Sequence, residues 1–424
     1  MEKVAIYTRD DLVEEYWPRD PKGFALHSFH CGLNKRILLD HPDKFHAHGD
    51  PYIAVGAVQN IAWQVYKFLT KDNFSSYKGK YYFPIPWNPV HNELDLGDVI
   101  DIPVEHLENV RNGRCKILMI NHMEGWDHEG FFKIAIDYIK QRYNLSYSNF
   151  VMLTGNMKEP TYGAKNIYYN WWEQQYLGQS SFNVNHYGRE GLFHLPRKNR
   201  QHKFVCLNRR PHKHRIILAS LLSKYRHKGV LTCHKIVDDS SYYWDKSINQ
   251  LMLQSDKLPD DTIQKITELE NILPLTFNDG IDANTENPTI DLKVEKFYDS
   301  YLHIVTETYL PNNQNFFSEK IFKPMIFMQP FILIGAQNDL KCLRKLGYKT
   351  FDGIIDETYD TIEDEIDRLS AAYKEIENII NKSDKELNQM YFDCYDILIH
   401  NYWHWVYRTN TMHIDLKNNL LEAL

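Results

Sequence analysis

Residues Tyr301–Phe351 read YLHIVTETYLPNNQNFFSEKIFKPMIFMQPFILIGAQNDLKCLRKLGYKTF. The order is apolar strand, polar loop, short helix, apolar strand, glycine turn, second helix, which is the pattern of a parallel α/β unit. Within it, Phe317-Ser318-Glu319-Lys320 places an acid and a base at a helix start, with Ser318 suited to the N-cap. A helix start carries free N–H groups and the positive end of the dipole, so it suits an anion such as a diphosphate. Lys320 could then neutralise a diphosphate leaving group, and Glu319 could bind a sugar or ribose hydroxyl. Pro324 predicts a kink or restart one turn on. Gly335, after PFILI, would let the backbone approach a ligand closely.

Upstream, Lys203–Leu207 (KFVCL) reads as another strand and Lys213–Tyr225 as a helix whose apolar face holds Ile216, Ile217, Leu218, Leu221 and Leu222. Between them lies Asn208-Arg209-Arg210-Pro211-His212-Lys213-His214-Arg215, with Pro211 placed for the first helical turn. Arg209, Arg210, Lys213 and Arg215 offer cationic donors to a phosphate, and guanidinium forks suit bidentate contacts. A basic surface loop is the plainer alternative. Glu307, in Val305-Thr306-Glu307-Thr308, ends a strand and could accept from ribose or sugar hydroxyls; a structural carboxylate that holds a neighbouring loop fits the same pattern.

In the N-terminal half, Cys115–Ile120 (CKILMI) reads as a buried strand, Glu129–Tyr143 as a helix and Phe150–Leu153 as the next strand. The strand end Asn121–Glu129 (NHMEGWDHE) is acidic. One carboxylate there could be the general base that deprotonates an acceptor hydroxyl: Glu124 first, then Asp127, then Glu129. Asp127 and Glu129 also fit the simpler role of helix N-terminal charges. His122 and His128 are six apart and do not share a helical face as HExxH does, so no metal is expected. Before residue 110 the chain reads as irregular and rich in aromatics, Pro and His, with one helical pattern at Ala54–Leu69.

The 424 residues suffice for two cores. Gln174–Lys198 and Asn278–Pro288 are polar, and the first reads as an interdomain connection. The expected division is 1–195, an acceptor-side α/β domain; 196–360, a nucleotide-sugar-binding α/β domain; and 361–424, a helical segment. Together these match a GT-B-like architecture: two Rossmann-type domains with a cleft between them and C-terminal helices, with ligands at the carboxyl ends of strands. Lys plus Arg number 49 against 56 for Asp plus Glu, a net charge of −7, which advertises no general nucleic-acid surface. A local basic run does occur at Arg197–Lys228. The six cysteines form no close metal-type pair, and neither a signal-peptide core nor an apolar span is visible, so a cytoplasmic protein with reduced thiols is expected.

The segments KFVCLNRRPHKHR, VTET and FFSEKIFKPMIFMQPFILIG resemble the C-terminal nucleotide-sugar-binding half of the alpha-1,3-fucosyltransferase-like family. The longer run to Phe351 resembles phage and giant-virus glycosyltransferase-like proteins. The resemblance covers about Lys203 to Phe351. It implies a transferase using a nucleotide-sugar co-substrate, with no other cofactor and no metal. Arg209 or Arg210 and Lys320 would hold the diphosphate, Glu319 the donor's sugar or ribose, and Glu124 would be the base of an inverting transfer to a glycan or other hydroxyl acceptor. The chain departs from that family at Val-Thr-Glu-Thr, at the longer insertion after it and at Lys323-Pro324, which leaves the donor open, a GDP-sugar being one candidate. Two other readings remain: a catalytically silent carbohydrate- or nucleotide-binding module, and a phage-type enzyme glycosylating DNA bases through the Arg197–Lys228 run.

Overall fold

A computed structural model describes residues 2–7, 65–69, 71–86, 102–121, 125, 128–170, 172–173, 199–235, 244–253, 258, 261–276, 294–312 and 314–424. The chain divides into two compact units, one of residues 1–182 with 407–424 and one of residues 183–406.

The first unit is built on a parallel sheet ordered β2-β1-β3-β4-β5-β6. Its strands are β1 (Val4–Tyr7), β2 (Tyr66–Leu69), β3 (Tyr81–Pro86), β4 (Cys115–Asn121), β5 (Phe150–Thr154) and β6 (Lys165–Tyr168). Successive side chains alternate between two faces, and both faces are buried. Ile117 and Met119 of β4 pack with Phe83, Met152, Phe132, Ile136 and Ile139 on one side, where α1 (Val104–Arg111) and α2 (Lys133–Tyr143) lie in sequence before and after β4. Leu118 and Ile120 pack on the other side with Tyr82, Val151 and Leu153, and with Met412, Leu416 and Leu420. Those last three repeat every four residues, one stripe of a helix. Burying each contributes roughly 1.5–3 kcal/mol.

The sheet therefore begins far earlier than the apparent irregularity before residue 110 implies. Strand β3 is hard to read because YYFPIP carries two prolines. They alternate, so their missing N–H groups fall on one side of the strand. Among the described residues, the ladder to β4 runs from Tyr81 to Pro86 and the pairing to β1 places Ile6 opposite Tyr82. The helical pattern at Ala54–Leu69 also needs correction: its end, Tyr66–Leu69, is a strand paired with β1, and Ala54–Gln64 lies outside the described residues.

The second unit carries a parallel sheet ordered β10-β9-β7-β8. Its strands are β7 (His202–Leu207), β8 (Gly229–Thr232), β9 (Ser300–Thr306) and β10 (Phe331–Ile334). Its helices include α3 (Lys213–Leu222), α4 (Trp244–Met252), α5 (Thr262–Glu270), α6 (Glu319–Ile326), α7 (Asp339–Lys345), α8 (Glu365–Asn381) and α9 (Asp384–Asp393). The final helix, α10 (Tyr395–Ala423), supplies its first part to this unit and its last part to the other.

From β7 the chain moves to one side to make β8, then returns to the other side of β7 to make β9 and β10. The strand order reverses between β7 and β9, and in an open parallel sheet the crevice beyond the carboxyl ends at such a reversal is where ligands bind. Two local expectations need correction. His212, not Pro211, is the N-cap residue of α3, so Pro211 lies just outside the helix. Pro324 does not stop α6 after one turn. It falls near the helix end, where its missing N–H deprives only the Lys320 carbonyl of its usual partner, and Phe327 N still donates to Lys323 O at 2.9 Å.

Candidate functional site

The carboxyl ends of β7 and β9 are joined directly. Thr306 Oγ1 donates to Asn208 Oδ1 at 2.6 Å, and Asn208 N donates to Thr232 Oγ1 at 2.9 Å, so one buried asparagine ties together the ends of β7, β8 and β9. The next residue after β9, Glu307, is 1% exposed. Its carbonyl accepts from His214 Nε2 at 2.9 Å and from Arg215 Nη2 at 3.1 Å, both from the first turn of α3. Its carboxylate faces the other way. There it accepts from Ser318 Oγ at 2.5 Å, from Ser318 N at 3.3 Å and from Thr308 N at 3.3 Å. Glu307 is thus the join between the arginine-bearing segment and the start of α6.

Ser318 is the N-cap of α6, its side chain accepting from Lys320 N. The Lys320 ammonium donates to Ser318 Oγ at 2.9 Å and to Thr308 Oγ1 at 3.2 Å, and lies 3.1 Å from Glu319 Oε1. Three acceptors fix its position beside the helix start, while its side chain keeps 21% of its surface exposed. Burial alone would push Glu319 upward. The attraction of Lys320 and then of Lys323 overrides it and holds the carboxyl down at about 2, so Glu319 is ionised and can only accept. Burial pulls Lys323 down to about 8, against the pull of Glu319. Burial also raises the Glu307 carboxyl, with Lys320 and the Ser318 contacts acting against it.

The arginine-bearing segment divides into two kinds of residue. Arg215 is buried, and its Nη2 donates to Thr306 O at 3.0 Å as well as to Glu307 O. Its Nη1 reaches Arg210 O at 3.4 Å, so this guanidinium serves main-chain carbonyls of the strand end and its own loop. Arg209, Arg210 and Lys213 are only partly buried. His212 and His214 stack with ring centroids 5.8 Å apart. Burial first, then the Arg215 charge, keeps both rings neutral, His214 down to about 3. A carbonyl oxygen only accepts, so neutral His214 carries its proton on Nε2.

Beyond β10, Asp339 takes Ala336 N at 2.7 Å and Asn315 Nδ2 at 2.8 Å, closing the turn that follows Gly335. A Cβ on Gly335 would lie 2.2 Å from Asp339 Oδ2 and 3.5 Å from Glu307 Cβ. The glycine therefore admits a carboxylate of the protein itself. Arg368 of α8 fixes the same region, donating to Gly335 O at 3.1 Å and Leu310 O at 2.7 Å.

The structure brings Asn208, Arg209, Arg210, Arg215, Glu307, Ser318, Glu319 and Lys320 to the carboxyl edge of one sheet. Glu124 and Asp127 lie outside the described residues. Glu129 is exposed and holds Thr161 through both oxygens, at 2.8 Å each. His214, Thr308 and Asp339 have no distinguishing motif; each is recognisable only once β7, β9 and β10 are aligned. The Arg197–Lys228 run is split by the fold. Lys203 and the Arg226–Lys228 turn stand at the amino ends of β7 and β8, and Arg209–Arg215 at the carboxyl end.

Among the described residues no group of three or more His, Cys, Asp or Glu side chains is placed to hold a metal ion, and no helix is long and apolar enough to cross a membrane. The described cysteines, Cys115, Cys206, Cys233, Cys342 and Cys394, are buried and free. Chemically, the edge offers an ordered ammonium, partly buried arginines, a capped helix start and the ionised Glu319 carboxylate.

No protein-family model matches the chain, and no curated protein matches it. Among solved structures, the chain is similar to the α,α-trehalose 6-phosphate synthase of Burkholderia multivorans, at 10% identity and a TM-score of 0.39, over 100% of this chain and 98% of that one. It is also similar to the N-terminal domain of trehalose-6-phosphate phosphatase of Candida albicans, at 10% identity and a TM-score of 0.35, over 90% and 81% of the two chains. Likenesses this loose carry no functional argument; the fold class, α/β with a parallel sheet in each unit, follows from the strand pairings themselves.

Proposed function

We propose that the chain is a glycosyltransferase of GT-B type that binds a nucleoside-diphosphate sugar in its second unit, as the resemblance to the fucosyltransferase-like family implies. The observation that carries this reading is the convergence of Lys320, the α6 start and the Arg209–Arg210 segment on the strand reversal between β7 and β9. Diphosphate oxygens would accept from Lys320 Nζ, from the α6 N–H groups and from Arg209 or Arg210. Glu319, ionised and acceptor-only, suits a sugar or ribose hydroxyl.

In the transfer, the acceptor hydroxyl loses its proton to a carboxylate as its oxygen bonds to the anomeric carbon. The bond from that carbon to the β-phosphate oxygen breaks, and its electron pair leaves with the nucleoside diphosphate. Inversion follows from attack opposite the leaving group. Glu124 is the base in this reading and Asp127 its alternate. The leaving charge is stabilised by fixed cations and dipoles.

A thermal-shift series with GDP, UDP, CDP and TDP tests the reading, because a ligand of the folded state raises the melting temperature by linkage. One diphosphate should raise it well above the others. No shift with any of the four would sink the proposal. Binding without turnover of any donor would favour the silent binding module.

A further inference from the structure

Glu307 is suited by type to a ribose or sugar hydroxyl, but its geometry argues for a different task. Its hydrogen bonds within the protein point in two directions. Through its carbonyl it receives His214 and Arg215, which fixes the first turn of α3 and the arginine-bearing segment before it. Through its carboxylate it receives Ser318 N and Oγ, which fixes the cap of α6. Ser318 Oγ in turn accepts from Lys320 Nζ. The chain of contacts is therefore α3, Glu307 main chain, Glu307 carboxylate, Ser318, Lys320, and all of it is buried except the ammonium at the end.

We propose that Glu307 is a positioning residue that sets Lys320 and the α6 start against the Arg209–Arg210 segment, so that anion binding depends on a carboxylate the anion does not touch. The proposal rests on the anion-site reading above. A carboxylate beside an anion site should by charge alone repel the anion. Keeping one there makes physical sense only if what it orders outweighs what it repels. A fully buried side chain at a strand end, held by three donors, is suited to that.

The consequence can be read because charge, contact and positioning predict different signs. Glu307→Gln removes the negative charge and keeps the size. Its amide keeps one acceptor oxygen but turns an NH2 group towards donors it cannot accept from. If the residue acted only by charge, inorganic pyrophosphate would bind more tightly to Glu307→Gln. If it touched the donor's ribose or sugar, the variant would lose donor affinity and leave pyrophosphate affinity unchanged. Positioning requires that pyrophosphate itself bind more weakly.

The experiment is calorimetric titration of pyrophosphate into the full chain, well below its melting temperature, for the wild type, Glu307→Gln, Ser318→Ala and the double variant. Each single variant should weaken binding about tenfold or more, and the double variant should be no weaker than the worse single within about twofold, since the two act through one contact. Unchanged or tighter binding to Glu307→Gln overturns the proposal, as do losses that multiply in the double variant. If Glu307→Gln does not fold, Ser318→Ala decides alone: pyrophosphate affinity equal to the wild type overturns it. A wild type that does not bind pyrophosphate overturns the anion site, a result distinct from a wild type that binds and a variant that binds equally well.

Discussion

Arg408 closes a two-pronged ion pair on Glu173, Nε to Oε1 at 2.5 Å and Nη2 to Oε2 at 2.9 Å. Glu173 is fully buried, so the guanidinium is the counter-charge that makes its burial tolerable. The pair fixes the returning C-terminal segment to the first unit alongside Met412, Leu416 and Leu420. Arg408→Ala should cost roughly 3–5 kcal/mol, because it takes a two-pronged cationic partner from a buried carboxylate. Adding Glu173→Gln to Arg408→Ala should recover part of it. Urea unfolding measures both, and a cost under about 1 kcal/mol for Arg408→Ala would show the pair to be dispensable.

Lys320→Ala should remove the nucleoside-diphosphate stabilisation. A lost charge-assisted contact is worth about 1.5–3 kcal/mol, or roughly a ten- to hundredfold weaker affinity. The measurement is the melting-temperature shift at fixed ligand concentration, with the unliganded variant as the baseline. An undiminished shift would remove Lys320 from the site.

Gly335→Ala should destabilise the second unit by about 1–3 kcal/mol, since the added methyl meets a carboxylate already held by two donors. Pairing it with Asp339→Ala should ease the clash while forfeiting those hydrogen bonds. A Gly335→Ala protein as stable as the wild type would mean that the Asp339 turn yields freely.

His106 gives a pH dependence to the first unit. It is fully buried among Tyr7, Phe74, Tyr81 and Phe83, and Tyr81 Oη lies 2.8 Å from its Nδ1. Burial pulls it down to about 4 from the ordinary 6.5. Between those values the unfolded chain binds a proton that the folded chain does not, so stability rises with pH there and is lost as pH falls from 6.5 towards 4. The slope from this group is about 1.4 kcal/mol per pH unit. Asp137, held low by its hydrogen bond from Lys133, acts in the same direction at lower pH. His106→Gln should flatten the curve by about one proton. Equal slopes for wild type and variant, measured by denaturation from pH 7 to 4.5, would discount His106.

How much of this was legible in the sequence depended on whether a residue's partners were local. Strands β7, β9 and β10 and the cap at Ser318 could be read because apolar runs and a polar cap are short-range signals. Strand β3 could not, because prolines ordinarily argue against a strand. The roles of Asn208 and Arg215 were hidden for another reason. Their types suit ligands, yet Asn208 and Arg215 hold backbone or neighbouring side chains of strands about a hundred residues away, and no spacing rule reaches that far. The helical character of residues 365–423 was plain, but the stripe at Met412, Leu416 and Leu420 does not say which sheet it covers.

That stripe also bears on the order in which the molecule can be assembled. A ribosome releases the strands of the first sheet long before it releases residues 407–424, which cover one face of that sheet. Through most of synthesis, Leu118, Ile120, Val151 and Leu153 must therefore wait without their final cover. The second unit draws only on residues 183–406 and can close first. Although folding during synthesis usually proceeds from the amino terminus, here the unit made first is the one finished last, and nascent chains halted before residue 407 are where chaperone capture and aggregation should concentrate.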